Sequence, residues 1–161
     1  MTATSERNPQ AAQMADESMI RTLANQAEAI WPQESRLFSR YALPAGAQIV
    51  DVGCGTGEAT LRLSAIFPGA SRIIGLDLMP ELLSVAQRRL AERAAASGPE
   101  IRFEQGDGFN LPFDEASIDL LVCRHVTQLV PDAEQLLTEF RRVLRPGGWI
   151  HLLSEDYGML H

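Results

Sequence analysis

From Gln48 onward the chain switches repeatedly between runs of apolar residues and apolar residues at helical spacing. The runs Gln48–Val52, Arg72–Leu76, Ile101–Gln105, Ile118–Cys123 and Trp149–Leu153 read as strands, with Asp77 closing the second. Ile118–Cys123 is almost wholly apolar, as a central strand of a parallel sheet should be. Between them the helical period returns. One helix spans Glu58–Ile66 and is stopped by Pro68-Gly69. A second opens at Pro80, carries Leu82, Leu83, Ala86, Leu90 and Ala94 on one face, and stops at Gly98-Pro99. A third begins at Asp132, with Gln135 three residues on as in a capping box; its stripe runs Leu136, Leu137, Phe140, Val143, Leu144, ending at Pro146-Gly147-Gly148.

Ahead of this alternation, Met19, Ile20, Leu23, Ala27 and Ile30 mark a helix from Asp16. Pro32 interrupts it, and a second short helix is expected over Glu34–Tyr41. Residues 1–15 are polar and predict a flexible N-terminus. Strand–helix alternation with short links predicts an open α/β sheet with helices on both faces. The expected organisation is therefore a tail over 1–15, a helical segment over 16–45, and an α/β domain over 46–161.

Composition narrows the partners. The 161 residues suit one domain able to bury roughly 70% of its unfolded surface. A net charge of −7 argues against a surface built for nucleic-acid phosphates. No apolar run approaches the ~20 residues of a membrane helix, and the N-terminus lacks a signal peptide's apolar segment, so a cytoplasmic protein is expected. Two cysteines, Cys54 and Cys123, are too few for a disulfide framework or zinc site; both are expected reduced, and no metal is expected.

The candidate chemistry lies at Ile49–Glu58, I-V-D-V-G-C-G-T-G-E, where an apolar strand meets Asp51 and then Gly53, Gly55 and Gly57. The chain must turn here from strand to helix, and side chains at the glycines would obstruct both the turn and a ligand against it. Backbone N–H groups opening the next helix can then face a ligand. Asp77 would sit where a ribose expects a carboxylate. A dinucleotide fingerprint would place its third glycine on Glu58, whose carboxylate would repel a pyrophosphate, and no phosphate loop of the lysine-bearing type is present. A nicotinamide-dependent oxidoreductase is disfavoured on that ground. The acidic-x-G-x-G-x-G pattern favours a ligand bringing positive charge and no phosphates.

These residues resemble the class I S-adenosylmethionine-dependent methyltransferases over about Gln48–Glu155. V-D-V-G-C-G-T-G at Val50–Gly57 is similar to the family's first motif and G-L-D at Gly75–Asp77 to its acidic strand end. Q-G-D-G-F-N-L-P-F at Gln105–Phe113 resembles the adenine-binding segment, and I-D-L-L-V-C-R-H-V and L-R-P-G-G complete the series. The resemblance implies a Rossmann-like sheet of order 3-2-1-4-5, N-terminal lid helices, and S-adenosyl-L-methionine as cofactor with S-adenosyl-L-homocysteine as product. It also implies roles. Gly53, Cys54, Gly55 and Gly57 lie against methionine and ribose, with Asp51 near the amino group. Asp77 accepts from the ribose hydroxyls, a bidentate acceptor suiting a vicinal diol. Asp107 and the Gly108 N–H take the adenine edge, Leu78 and Phe109 its faces, and Arg124 contributes backbone near the methionine end. Plain alternatives stand beside these: Asp51 as a cap of the turn, Asp77 as a solvated strand end, Asp107 as a turn-forming Asp-Gly, Phe109 as core, Cys54 as a small residue packed beneath the turn. Asp119 reads as structural.

Methyl transfer is an in-line displacement that proximity and orientation can drive, a general base being needed only for poor nucleophiles. His125 is the one candidate base, and a structural histidine is the alternative. Relatives of this kind carry a His-His pair where Gln128 and Leu129 stand here. No Asn/Asp-Pro-Pro-aromatic segment follows strand four, so a small-molecule acceptor is expected and nucleic acid is not. Trp31, within Ala29–Glu34, reads either as a lid edge or as an anchor of the helix to the sheet. Strands six and seven of the family fold are not recognisable, leaving strand five an edge. A shortened chain, or a homo-oligomer covering that edge, is expected. A non-catalytic S-adenosylmethionine-binding fragment or degenerate relative remains the alternative to an active enzyme.

Overall fold

The computed structural model describes residues 17–93 and 97–154. In chain order the elements are α1 (Glu17–Phe38), β1 (Gln48–Val52), α2 (Glu58–Ile66), β2 (Arg72–Asp77), α3 (Pro80–Glu92), β3 (Glu100–Gln105), β4 (Ile118–Arg124), α4 (Ala133–Val143) and β5 (Leu144–Leu153). The strands form one sheet of order β3-β2-β1-β4-β5 with every neighbouring pair parallel. Fold class and strand order are those expected.

Position in the sheet follows from residue pattern. β1 and β4 occupy the middle, and their near-continuous apolar sequences are buried on both faces. Edge strand β3 reads E-I-R-F-E-Q and fully buries only Phe103. The two-residue period divides the core. Val50, Val52, Ile74, Leu76, Leu121 and Cys123 face Leu136, Phe140 and Val143 of α4. Ile49, Ile73, Leu120 and Val122 face Phe38 of α1 and Leu63 of α2, while Leu83 and Ala86 of α3 pack beside α2 on Phe103. Right-handed crossovers therefore change face where strand order reverses, between β1 and β4. At that reversal the carboxyl ends of the strands open a crevice. The opposite end is closed by Asp119, which accepts from the Gln48 N–H at 2.8 Å and lies 2.6 Å from the Arg145 guanidinium, a structural role as expected.

Two boundaries differ from expectation. Pro32 does not divide the N-terminal segment: α1 is one 22-residue helix containing it, and Tyr41 lies beyond the helix in the turn that ends it. Pro32 is exposed, so the backbone bond it forfeits lies on the outer side, whereas Glu34 and Phe38 hold the inner side against the sheet. Likewise α4 ends at Val143 instead of running to Pro146-Gly147-Gly148. Leu144 is already extended (φ −70°, ψ 131°) and pairs with Ile118, with a register shift before Leu120 meets Trp149. Pro146 disfavours helix at Arg145, and a Cβ on Gly148 would press on the carbonyls of Ile118 and Asp119, so the Pro-Gly-Gly segment hugs β4 as an irregular start to β5. Asp132 caps α4 as anticipated, accepting from the Gln135 N–H at 2.8 Å. Residues 1–15 and Ala94 lie outside the described residues.

Phe38 anchors α1. It is fully buried, its ring stacks on His151 of β5 at 4.1 Å, and Trp31, Tyr41 and Phe67 surround it. Phe38→Ala should cost about 3–5 kcal/mol in urea unfolding; a loss below about 1 kcal/mol would mean that α1 is not docked on the sheet as described.

Candidate functional site

The crevice is built around the turn joining β1 to α2. Gly53 and Cys54 both donate their N–H groups to the Leu76 carbonyl, at 2.8 and 2.9 Å, which stitches the turn to the end of β2. Gly53 has φ 71°, and a Cβ there would collide with Val126, so the position requires glycine twice over. Asp77 grips the same turn from the other side. One carboxylate oxygen accepts from the Gly55 N–H at 2.8 Å, the other from the Met79 N–H at 2.9 Å at the start of α3. Most of the turn's amides are thus used within the fold. The free amides expected for a ligand reduce to the first turn of α2, whose N-cap Gly57 offers no side-chain cap.

Gly57 is not among the residues that line the cleft. At φ 79° its missing Cβ faces Phe103 and Ala86, where an added carbon would sit 2.5 and 3.0 Å from their atoms. It is glycine so that α2 can start in a left-handed conformation against α3 and β3. The other expected residues converge on one cleft: Asp51, Gly53, Cys54, Gly55, Asp77, Leu78, Asp107, Gly108, Phe109, Arg124 and His125.

The carboxylates differ in setting. Asp51 is buried, accepts a 2.6 Å hydrogen bond from the Thr60 hydroxyl, and has its pKa raised by burial. Burial also raises the pKa of Asp77, while its backbone donors pull the other way. Asp107 accepts from the Phe109 N–H at 2.9 Å, so its turn-forming role is real and coexists with its place on the cleft. Gly108 follows where a Cβ would meet Leu136 and Val52 at 2.9 and 3.0 Å. Cys54 and Cys123 are both free thiols and buried. Burial pushes the Cys54 thiol well up and Cys123 to about 12, so neither is a nucleophile near neutrality. Cys54 packs beneath the turn and also lines the cleft.

Besides its backbone, Arg124 brings a guanidinium that makes a paired contact with Glu34 of α1, at 2.8 and 2.6 Å. His125 follows at φ 57°, and its N–H donates to the Leu153 carbonyl at 2.7 Å, so β5 holds the cleft wall. Not foreseen were the pairing of Glu34 with Arg124 and the apolar wall of Val126, Leu129 and Val130. Nothing in single-sequence periodicity separates that wall from ordinary core. Arg89 was also missed: it donates to the Thr56 carbonyl and hydroxyl at 2.9 and 2.7 Å and pairs with Glu58 at 2.7 Å.

A parallel sheet reversing at β1 and β4, with a glycine turn beside Asp51 near the end of β1 and Asp77 at the end of β2, is an open α/β domain with its crevice at the reversal. The chain belongs to the methyltransferase domain family, whose profile matches residues 50–152. It is 33% identical over 119 residues to the demethylmenaquinone methyltransferase of Lactobacillus johnsonii, covering 74% of this chain and 48% of that protein. It is 39% identical over 120 residues to the trans-aconitate 2-methyltransferase of Methylobacterium nodulans, covering 74% and 43%. Haemonchus contortus phosphoethanolamine N-methyltransferase 2, solved in complex with S-adenosyl-L-methionine, superposes with a TM-score of 0.65 at 25% identity, covering 76% of this chain and 27% of that one. The chain spans about half the length of the curated relatives it matches. No helix among the described residues is long and apolar enough to cross a membrane.

Asp51 yields a test. Its folded pKa lies above the unfolded value, so folding takes up protons between the two, and stability falls as pH rises through that window. The burial cost is fully present above the raised pKa. Asp51→Asn keeps an acceptor for Thr60 and removes the charge. It should raise the melting temperature at pH 7 and lose that advantage below about pH 4; destabilisation at both pH values would contradict the assignment.

Proposed function

We propose that this chain binds S-adenosyl-L-methionine in the cleft and positions its methyl group for transfer to a small-molecule acceptor. Asp77 is the observation that carries the reading: a carboxylate at the end of β2, aimed at the cleft and oriented through both oxygens by backbone amides. The donor set suits the cofactor. Asp51, Asp77, Asp107 and Glu58 line the cleft, a potential that favours a cationic ligand and disfavours phosphates. A Cβ at Gly53 or Gly108 would intrude on its walls.

In this reading Asp77 accepts from both ribose hydroxyls, using lone pairs left by the two amides. Asp107 accepts from the adenine amino group and the Gly108 N–H serves a ring nitrogen. Leu78 and Phe109 flank the base. Asp51 faces the amino group of the methionine portion, with Gly53, Cys54 and Gly55 along its length and Arg124 at its end. The cofactor supplies an electrophilic methyl on a sulfonium. The chain's own work is alignment of an acceptor within near-attack distance and exclusion of water by Leu129 and Val130. Where the acceptor is a hydroxyl or carbon acid, His125, which lines the cleft, is the candidate base, with a structural histidine as the alternative. The names of the bacterial relatives, for a quinone precursor and for trans-aconitate, support a small-molecule acceptor. A cytoplasmic location, and copies associating along the exposed Trp149, Ile150 and Leu152 of β5, belong to the same proposal.

Titration calorimetry tests the cofactor. S-adenosyl-L-methionine and S-adenosyl-L-homocysteine should bind, and Asp77→Ala should raise their Kd about 10–100-fold; an unchanged Kd would remove the ribose assignment. Transfer is tested with methyl-labelled cofactor and a panel of phenols, amines and carboxylic acids. Label appearing in an acceptor supports an enzyme, and tight cofactor binding with no transfer to any of them supports the binding-domain alternative.

A further inference from the structure

Arg124 lines a cleft read as holding a cationic cofactor, its side chain is only 10% exposed, and its charge reaches Asp51 on the same cleft. Left alone, that charge would oppose a sulfonium across a poorly solvated gap. Glu34 cancels it. Its two oxygens accept from Nε and Nη2 of Arg124 at 2.8 and 2.6 Å, in a planar fork, and its own side chain is 3% exposed. On the far side, His151 Nε2 lies 3.2 Å from Glu34, and Tyr41 lies 3.0 Å from His151 Nδ1. These contacts fix Glu34 in place between α1 and β5.

Both charges act on the cleft. The Asp51 carboxyl is held down by Arg124 and pushed up by Glu34. Glu34 also shares a helix face with Ala27, two turns earlier, which lines the cleft. The same contact that docks α1 therefore sets the charge of the wall beneath it.

We propose that Glu34 is a positioning residue that neutralises Arg124 and so sets the cleft's preference for the cationic cofactor over its uncharged-sulfur product. The inference rests on the cofactor reading above. S-adenosyl-L-methionine and S-adenosyl-L-homocysteine differ by one methyl group and one positive charge, so their ratio of affinities reads the charge of the wall. Overall packing damage weakens both alike.

Titration calorimetry with both ligands is run on the wild-type chain, Glu34→Gln, Arg124→Met and the double variant. Glu34→Gln should shift the affinity ratio toward S-adenosyl-L-homocysteine by on the order of tenfold. Arg124→Met should shift it the other way. The double variant should return the ratio to within about twofold of wild type, the two charges having been removed together. Should Glu34→Gln fail to fold by circular dichroism, Arg124→Met and the double variant decide: a ratio raised in the first and lowered again in the second upholds the role. A ratio unmoved by the single changes overturns it, whatever happens to the separate affinities. A wild-type chain that binds neither ligand overturns the cofactor reading and this inference with it, whereas binding of both with an insensitive ratio removes only the role of Glu34.

Discussion

A carboxylate kept largely out of water at the end of a strand must be stabilised by donors, and at Asp77 the donors are the backbone of the site itself. The Gly55 N–H belongs to the turn after β1 and the Met79 N–H to the start of α3. One side chain thus holds together the two segments that form the floor of the cleft. The arrangement depends on parallel pairing of β1 with β2, which sets Val52 opposite Leu76 and brings both strand ends level. It depends equally on small residues around it. Gly75, one pair before the end of β2, leaves room for Phe103 and Cys54, against which a Cβ would press at 2.6 to 3.0 Å. Close packing beneath the turn is what lets Asp77 stand above it.

Each wall of the cleft is then fixed by arginine and carboxylate side chains. Arg89 of α3 holds Thr56 and Glu58 on the glycine turn. Glu139 and Arg142 of α4 hold the segment after Asp107, through the Leu111 N–H at 2.7 Å and the carbonyls of Leu111 and Phe113 at 3.1 and 2.9 Å. Glu34 and Arg124 tie α1 to the end of β4. Partly exposed pairs of the first two kinds contribute little net stability. The third is desolvated, and its attraction is offset by burial. Their common effect is geometric: loops that carry the candidate ligand contacts are held to rigid helices.

Elements and strand order were legible because the chain keeps apolar runs and helical stripes separate, and because glycine and proline mark most junctions. The cleft was legible where backbone demands restrict residue type, as at Gly53, or where a charged residue ends an apolar strand, as at Asp77. Gly57 shows the limit of that logic, since a glycine required by helix packing looks the same in sequence as one required by a ligand. Pro32 shows another limit. Its local preference for a break was overridden by Glu34 and Phe38 on the packed side of α1, a tertiary effect invisible to a local pattern. The Glu34–Arg124 pair spans 90 residues, and single-sequence spacing carries no signal for it.

In the proposed reading Asp77 receives the cofactor's nucleoside at the reversal between β1 and β4. A crystal structure of the chain with S-adenosyl-L-homocysteine tests it most directly. Both ribose hydroxyls should lie within hydrogen-bonding distance of the Asp77 carboxylate, with the adenine between Leu78 and Phe109 and its amino group on Asp107. A ligand bound elsewhere, or bound here with its ribose away from Asp77, would contradict it.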